Sequence, residues 1–359
     1  MYKFLFTGGG TAGHVTPNIA IIDLLKSRYP DAEFHYIGSL EGIEKEIIAG
    51  KPFVKYYGVH TGKLRRYFSL KTVKDLFNVP KGRREAVKLI KEIRPDVLFS
   101  KGGYVAVPVV AAAKKCGVPA LCHESDITPG LANKISLRYA DKICVTFPDT
   151  VKNLPEGKGI FTGTPIRAEL YRGNAEKARA ELGFDGKPVI LVMGGSIGSS
   201  AINAAIRENI VSLTESYNII HLCGKGKLSE EPALLANPSY RQFEFVSEPL
   251  PDYIALSDMI ISRAGANAIH EFLALKKPML LIPLPAKASR GDQLLNAESF
   301  RSRGLAHVLA EESITPGTLL AAVRDLDASR AGLIDAMSAA ANIDGTLAIV
   351  SLIEGYLTK

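Results

Sequence analysis

Phe4-Leu5-Phe6-Thr7-Gly8-Gly9-Gly10-Thr11-Ala12-Gly13-His14 decides the fold, because its design returns half a chain later. The second copy reads Ile190-Leu191-Val192-Met193-Gly194-Gly195-Ser196-Ile197-Gly198-Ser199. In each, a short apolar run reads as a buried strand, and the residues after the glycines read as the start of a helix. A strand, a glycine turn and a helix N-terminus gather backbone N–H groups and a positive dipole end around one small space. Such a space favours an anion. Two such units predict two lobes facing each other across a cleft.

Outward from these loops, strand-like and helix-like stretches alternate. Strands are predicted at 3–7, 33–38, 97–100, 119–122 and 142–146, with helices at 17–28, 41–49, 72–78, 82–93, 105–116 and 128–139. The second half continues with strands at 188–193, 218–222, 243–246, 259–262, 279–282 and 306–308, and helices at 199–214, 251–256, 265–275, 292–303 and 315–325. Alternation of this kind implies parallel sheets covered on both faces, an α/β class with two Rossmann-like domains. Gly163 and Pro165 mark the joint, which gives domains at 1–162 and 163–342.

A chain of 359 residues, 47% hydrophobic, has material for two packed cores. Met1 leads straight into a strand, so no signal peptide is expected, and the longest apolar runs are too short to span a bilayer. Cys116, Cys122, Cys144 and Cys223 form no CxxC pair and read as reduced core thiols. The net charge of +7 is uneven: Lys63 to Arg94 holds eleven Lys or Arg against three acids, mixed with Tyr67, Phe68, Leu76 and Phe77. Two readings stand for this segment, a face for an anionic membrane surface or a solvated helix with its core stripe. Nucleic acid is not expected as a partner, since no zinc-finger spacing, RNP-like motif or helix-turn-helix signal is present.

Gly8, Gly10 and Gly13 satisfy GxGxxG, yet the context argues against a dinucleotide. A nicotinamide fold wants an acid closing its second strand, whereas that strand ends at Ile37-Gly38-Ser39, with Glu41 already in the next helix start. His14 follows the glycines directly. Its neutral-range pKa suits removal of a proton from an attacking hydroxyl, and holding the loop by a backbone hydrogen bond is the competing role. Thr11 and Thr16 read equally as helix caps.

Taken in order, the motifs resemble the MurG family, bacterial transferases that add N-acetylglucosamine to a lipid-linked muramoyl-pentapeptide. The carrying stretches are Gly8 to His14, Lys101-Gly102-Gly103-Tyr104, His123-Glu124-Ser125-Asp126 and Pro129-Gly130-Leu131-Ala132-Asn133-Lys134. They continue as Gly163-Thr164-Pro165-Ile166-Arg167, Gly194-Gly195-Ser196, Gly224-Lys225-Gly226, Ser262-Arg263-Ala264-Gly265 with Glu271, and Asp292-Gln293. The resemblance runs from residue 3 to about residue 345 and implies the GT-B arrangement, with a helix at about 343–359 packing back on the first domain.

What the resemblance implies for the site is specific. The donor would be UDP-N-acetylglucosamine, met by Thr11, Ala12 and Gly13, by Arg167 and Ser196 at the diphosphate, by Val246 at the uracil edge, by Glu271 at the ribose hydroxyls and by Gln293 at the sugar. Arg167 is otherwise an interdomain ion-pair residue, Glu271 a first-turn helix glutamate and Val246 plain core. His14 would be the catalytic base, with Tyr104, His123, Glu124 and Asp126 on the acceptor side. Some relatives carry asparagine at Asp126, glutamine at Asp292 and glycine at Ala12. The implied activity is an inverting transfer to the muramoyl C4 hydroxyl in peptidoglycan synthesis, without a cofactor or a metal held by an Asp-x-Asp motif. It would occur at the cytoplasmic face of the cell membrane, on which Arg65, Arg66, Tyr67, Phe68, Leu76, Phe77 and Arg84 would dock. A GT-B transferase with another lipid or small-molecule acceptor, a sugar-nucleotide epimerase and a non-catalytic UDP-sugar binder are the competing readings.

Overall fold

The computed structural model describes residues 1–62, 70–195, 197–287, 290–340 and 344–357, with the side chains of 70–77 outside the description. Two compact units result, Met1–Arg167 with Asn342–Lys359, and Ala168–Ala341. In the first, β1 (Lys3–Thr7), β2 (Glu33–Ser39), β3 (Val54–Val59), β4 (Val97–Ser100), β5 (Ala120–Glu124), β6 (Lys142–Val145) and β7 (Gly159–Phe161) form one parallel sheet. Its order is β3-β2-β1-β4-β5-β6-β7. The connecting helices are α1 (Thr16–Arg28), α2 (Ile43–Ala49), α3 (Leu70–Ile93), α4 (Ala106–Cys116), α5 (Leu131–Ser136) and α6 (Pro148–Val151).

The second unit orders its parallel strands β10-β9-β8-β11-β12-β13. They are β8 (Val189–Met193), β9 (Asn218–Leu222), β10 (Tyr240–Phe243), β11 (Met259–Ser262), β12 (Met279–Leu281) and β13 (His307–Val308). Its helices are α7 (Ala175–Leu182), α8 (Ser200–Glu208), α9 (Ile210–Ser216), α10 (Pro232–Leu235), α11 (Leu250–Leu256), α12 (Ala266–Ala274), α13 (Asp292–Ser302), α14 (Pro316–Ala328) and α15 (Arg330–Ala339). The chain then returns as α16 (Thr346–Glu354) to the first unit.

Strand β1 shows why these strands are continuously apolar. Phe4 and Phe6 enter one core with Phe34, Tyr36 and Phe99, while Leu5 enters the opposite core with Leu98, Val109 and Val110. Helices on both faces leave no side of the strand for water. In each sheet the strand order reverses once, between β1 and β4 and between β8 and β11. At such a reversal the loops leaving the carboxyl ends diverge and open a crevice. Both glycine loops leave a strand at this point, β1 in one unit and β8 in the other.

Several elements depart from the sequence reading. β3 was not predicted: it is a sheet edge carrying Lys55 and Gly58, only half apolar. β10 lies three residues before the predicted 243–246, because Phe243 pairs with Leu222 at the strand's end and Phe245 beyond it is exposed. The predicted break near Pro80 is absent, and α3 runs unbroken through that proline, anchored by buried Ala86 and Ile90. The predicted helix 199–214 is two helices meeting at Asn209, whose Nδ2 donates to Ala205 O at 2.8 Å.

The first unit also continues five residues past the 162 boundary. Ile166 N–H donates to Thr346 Oγ1 at 3.1 Å and Gly345 N–H to Thr164 O at 2.8 Å, tying this stretch to the returning α16. Ile349, Val350 and Ile353 of α16 fill the core around Phe4, and Arg28 Nη1 donates to both oxygens of Glu354 at 2.9 Å.

Candidate active site

In the first unit three loops meet at the carboxyl ends of β1, β4 and β5. Gly103 has φ +82°, and a β-carbon there would overlap Gly9 O and lie 3.4 Å from the His14 ring, so the β4 loop fits against the glycine loop only as glycine. The Tyr104 ring lies against Gly10. His14 closes a 3-10 turn, Ala12–His14, and its Nδ1 lies 2.8 Å from Thr11 Oγ1. Thr11 occupies the cap position without capping through its side chain, and Thr16 Oγ1 donates back to Ala12 O at 3.2 Å, so neither hydroxyl is an N-terminal cap.

The glycine loop is braced from outside. Fully buried Glu44, at the start of α2, accepts Gly10 N–H at 3.2 Å, Ser39 N–H at 3.0 Å and the Ser39 hydroxyl. Of the first loop's N–H groups, that of Gly10 is thus taken by the protein's own carboxylate. Tyr36 Oη donates to Gly8 O at 2.9 Å and Asn18 Nδ2 to Thr7 O at 3.1 Å, fixing the loop's base.

On β5, fully buried His123 donates from Nε2 to Gly163 O at 3.0 Å, the direction a carbonyl acceptor requires. Glu124 accepts Asp126 N–H and Gly130 N–H, both at 3.0 Å, and Asn133 Nδ2 at 2.8 Å. Burial, reinforced by Asp126, pushes its pKa up, while these three hydrogen bonds pull it down. Lys101, directly after β4, is 1% exposed, and its Nζ donates to Ser125 Oγ.

In the second unit the glycine loop is braced by hydroxyl and guanidinium. Ser199 caps α8, its Oγ accepting Ile202 N–H at 3.3 Å. Buried Arg263, directly after β11, donates from Nη2 to that same oxygen at 2.6 Å and from Nη1 to Ile282 O at 3.1 Å, and pairs with Glu311. Gly198, at φ +69°, abuts Cys223 O so closely that a β-carbon would overlap it. That carbonyl is held by Asn203 Nδ2 at 2.9 Å. Asn203 Oδ1 therefore accepts from His221 Nε2 at 3.0 Å, and Tyr240 Oη donates to His221 Nδ1 at 2.9 Å. Burial, with Arg207 adding, holds the His221 imidazole down to about 3, so it is neutral.

The remaining predicted residues fall as follows. Val246 is buried in the loop beyond β10 rather than in the strand. Glu271 is half-buried and the sixth residue of α12, which overturns the first-turn reading. Gln293 is the second residue of α13, its Oε1 accepting Leu284 N–H at 3.0 Å, and the preceding Asp292 pairs with Arg290 at 2.7 Å. Arg167 ends the first unit, half-buried. Arg84 is exposed on α3, whereas Ser196, Arg65, Arg66, Tyr67 and Phe68 lie outside the described residues, as do the side chains of Leu76 and Phe77. An Asp-x-Asp string does occur, contrary to the expectation of none: Asp325-Leu326-Asp327 lies on α14, with Leu326 in the core and Asp327 paired to Arg330 at 2.8 Å and accepting Tyr217 Oη at 2.9 Å. Sequence reasoning gave no role to Glu44, Lys101, Ser199 or Arg263. Three of these stand beside quoted glycine motifs, while Glu44 is a first-turn acid with no local mark.

Two doubly wound parallel units, each with a glycine loop at its switch point, define the domain pair of a GT-B glycosyltransferase. The MurG of Acinetobacter baumannii has this fold, with a TM-score of 0.76 at 24% identity over 99% of this chain and 100% of that one. Residues 4–145 match the glycosyltransferase family 28 N-terminal domain, and 189–351 its C-terminal domain. A Clostridium botulinum UDP-N-acetylglucosamine–N-acetylmuramyl-(pentapeptide) pyrophosphoryl-undecaprenol N-acetylglucosamine transferase is 52% identical over 99% of this chain and 98% of its own. A Bacillus thuringiensis transferase of the same name, numbered 3, is 55% identical over 91% of this chain and 92% of its own. The chain belongs to the MurG family, within glycosyltransferase family 28.

Proposed function

We propose that this chain transfers N-acetylglucosamine from UDP-N-acetylglucosamine to the C4 hydroxyl of undecaprenyl-diphospho-muramoyl-pentapeptide, converting lipid I to lipid II. The observation that carries the reading is 52% identity over nearly the whole chain to a transferase of that name. In the proposed step the acceptor oxygen bonds to the sugar C1, the C1–O bond to the diphosphate breaks, UDP leaves, and the hydroxyl proton passes to His14. For this step Nδ1 would donate its proton to Thr11 Oγ1, 2.8 Å away, leaving Nε2 as the basic atom.

The leaving diphosphate would meet Ser196, Arg167 and the backbone N–H groups at the start of α8. Charge stabilised as it develops is commonly the largest catalytic term. Glu271 would accept the ribose hydroxyls and Val246 would offer its backbone to the uracil. Gln293, its Oε1 already engaged, would meet a sugar hydroxyl through its amide N–H. Thr11, Ala12 and Gly13 would complete the donor contacts, and Tyr104, Glu124 and Asp126 would line the acceptor, while His123, fully buried and bonded to Gly163 O, takes the structural role instead of an acceptor contact. No metal or cofactor is required in this scheme.

Among the described residues no helix is long and apolar enough to cross a membrane. We infer peripheral docking on the cytoplasmic membrane face through the basic segment ending at exposed Arg84. Charge reversal at Arg65, Arg66 and Arg84 should abolish pelleting with anionic vesicles; unchanged pelleting removes that claim. The test of function is transfer of radiolabelled N-acetylglucosamine from its UDP donor to a short-chain muramoyl-pentapeptide lipid with EDTA present. Product is expected. Donor binding without product would reopen the acceptor, and product lost only with EDTA would overturn the metal-free scheme.

A further inference from the structure

Lys101 is the buried cation of the first unit's switch point. Its ammonium has Ser125 Oγ as its hydrogen-bond partner among the described residues, although three N–H groups are there to donate. A buried ammonium is costly, and an apolar chain of similar length would pack beside Gly8 at no such cost. What offsets the cost is the field of two carboxylates, Glu124 and Asp126, both of which favour its proton. Those carboxylates stand at the end of β5 and two residues beyond it; burial raises the Glu124 pKa, and the Asp126 charge adds to the rise.

We propose that Lys101 is a positioning residue for the acceptor: its ammonium neutralises the Glu124–Asp126 pair, so that an anionic, diphosphate-bearing acceptor can lie against a loop that would otherwise repel it. The inference rests on the acceptor reading above. It also bears on Asp126, where an added negative charge stands in place of the neutral amide of some relatives. Burial pulls the Lys101 pKa down to about 8, which leaves the ammonium protonated at neutral pH. The charged groups acting on it are Glu124 and Asp126.

The test uses the full chain in detergent micelles with UDP-N-acetylglucosamine and a short-chain lipid-diphosphate acceptor. Lys101→Met should raise the acceptor KM about tenfold while leaving the donor KM unchanged. In an Asp126→Asn background the same substitution should cost less, by at least about threefold, because less negative charge is then exposed. Equal rises in both KM values, or an undiminished loss beside Asp126→Asn, would overturn the proposal. Should Lys101→Met fail to fold, the unaltered enzyme decides: its acceptor KM should rise as pH passes through about 8, with the donor KM flat. A flat acceptor KM would sink the idea. Absence of any transfer by the unaltered enzyme would instead count against the proposed function.

Discussion

The two glycine loops share a backbone design and differ in their braces. The first is held by a carboxylate, since Glu44 accepts the N–H groups of Gly10 and Ser39. The second is held by a cation, since Arg263 grips Ser199, the cap of α8. A glycine turn at a switch point is thus a cradle whose charge preference is set by its neighbours. In the first loop an acid takes an N–H group from outside, whereas in the second a guanidinium, itself paired with Glu311, holds the helix cap. The acid-rich half, with Glu44, Glu124 and Asp126, is the one that buries Lys101.

This contrast can be broken experimentally. The largest effect expected is from His14→Ala, with kcat down about 10²- to 10⁴-fold and the calorimetric affinity for UDP-N-acetylglucosamine little changed. An equal loss of donor affinity would place the histidine's work with the donor instead. Next, Glu44→Ala strands two buried N–H groups and should cost about 3 kcal/mol in urea unfolding, with UDP affinity within about twofold. Arg263→Met should do the opposite, lowering UDP affinity more than about tenfold. If both variants lose UDP affinity alike, the contrast between the braces fails.

A pH titration sharpens the same comparison. The unfolded chain carries His221 near its ordinary 6.5, whereas burial in the second unit holds it at about 3. Between those values the unfolded state binds a proton that the folded state refuses. The contribution is therefore full above about pH 6.5 and falls as pH drops towards 3, by about 3 kcal/mol at pH 4. Urea unfolding of the second unit should show this slope, and His221→Gln should flatten it. The smallest effect expected is from Arg28→Ala, which removes a partly exposed pair with Glu354 and should cost under about 1 kcal/mol.

What the sequence disclosed and what it hid follow from range. The strands flanking the glycines were legible because burial on both faces demands unbroken apolar runs such as Ile190-Leu191-Val192. The edge strands β3 and β10 were not, since Lys55, Arg241 and Gln242 there keep contact with water and blur the pattern. Motif spacing placed the loops of Lys101-Gly102-Gly103-Tyr104 and Ser262-Arg263-Ala264-Gly265, yet only folding shows that each leaves the strand beside its glycine loop. The braces were hidden for the same reason: Arg263 finds Ser199 from 64 residues away and Glu44 finds Gly10 from 34.

The helix α16 inverts the order in which the chain is made and finished. Phe4 leaves the ribosome well before α16, yet the core around it lacks Ile349, Val350 and Ile353 until that helix emerges. The second unit, continuous in sequence, has all its strands in hand earlier and can close while its elder neighbour still exposes apolar surface. A nascent chain halted before Thr346 would therefore carry its damage at the end that was translated first, leaving Phe4 and Phe34 open to chaperones or to aggregation.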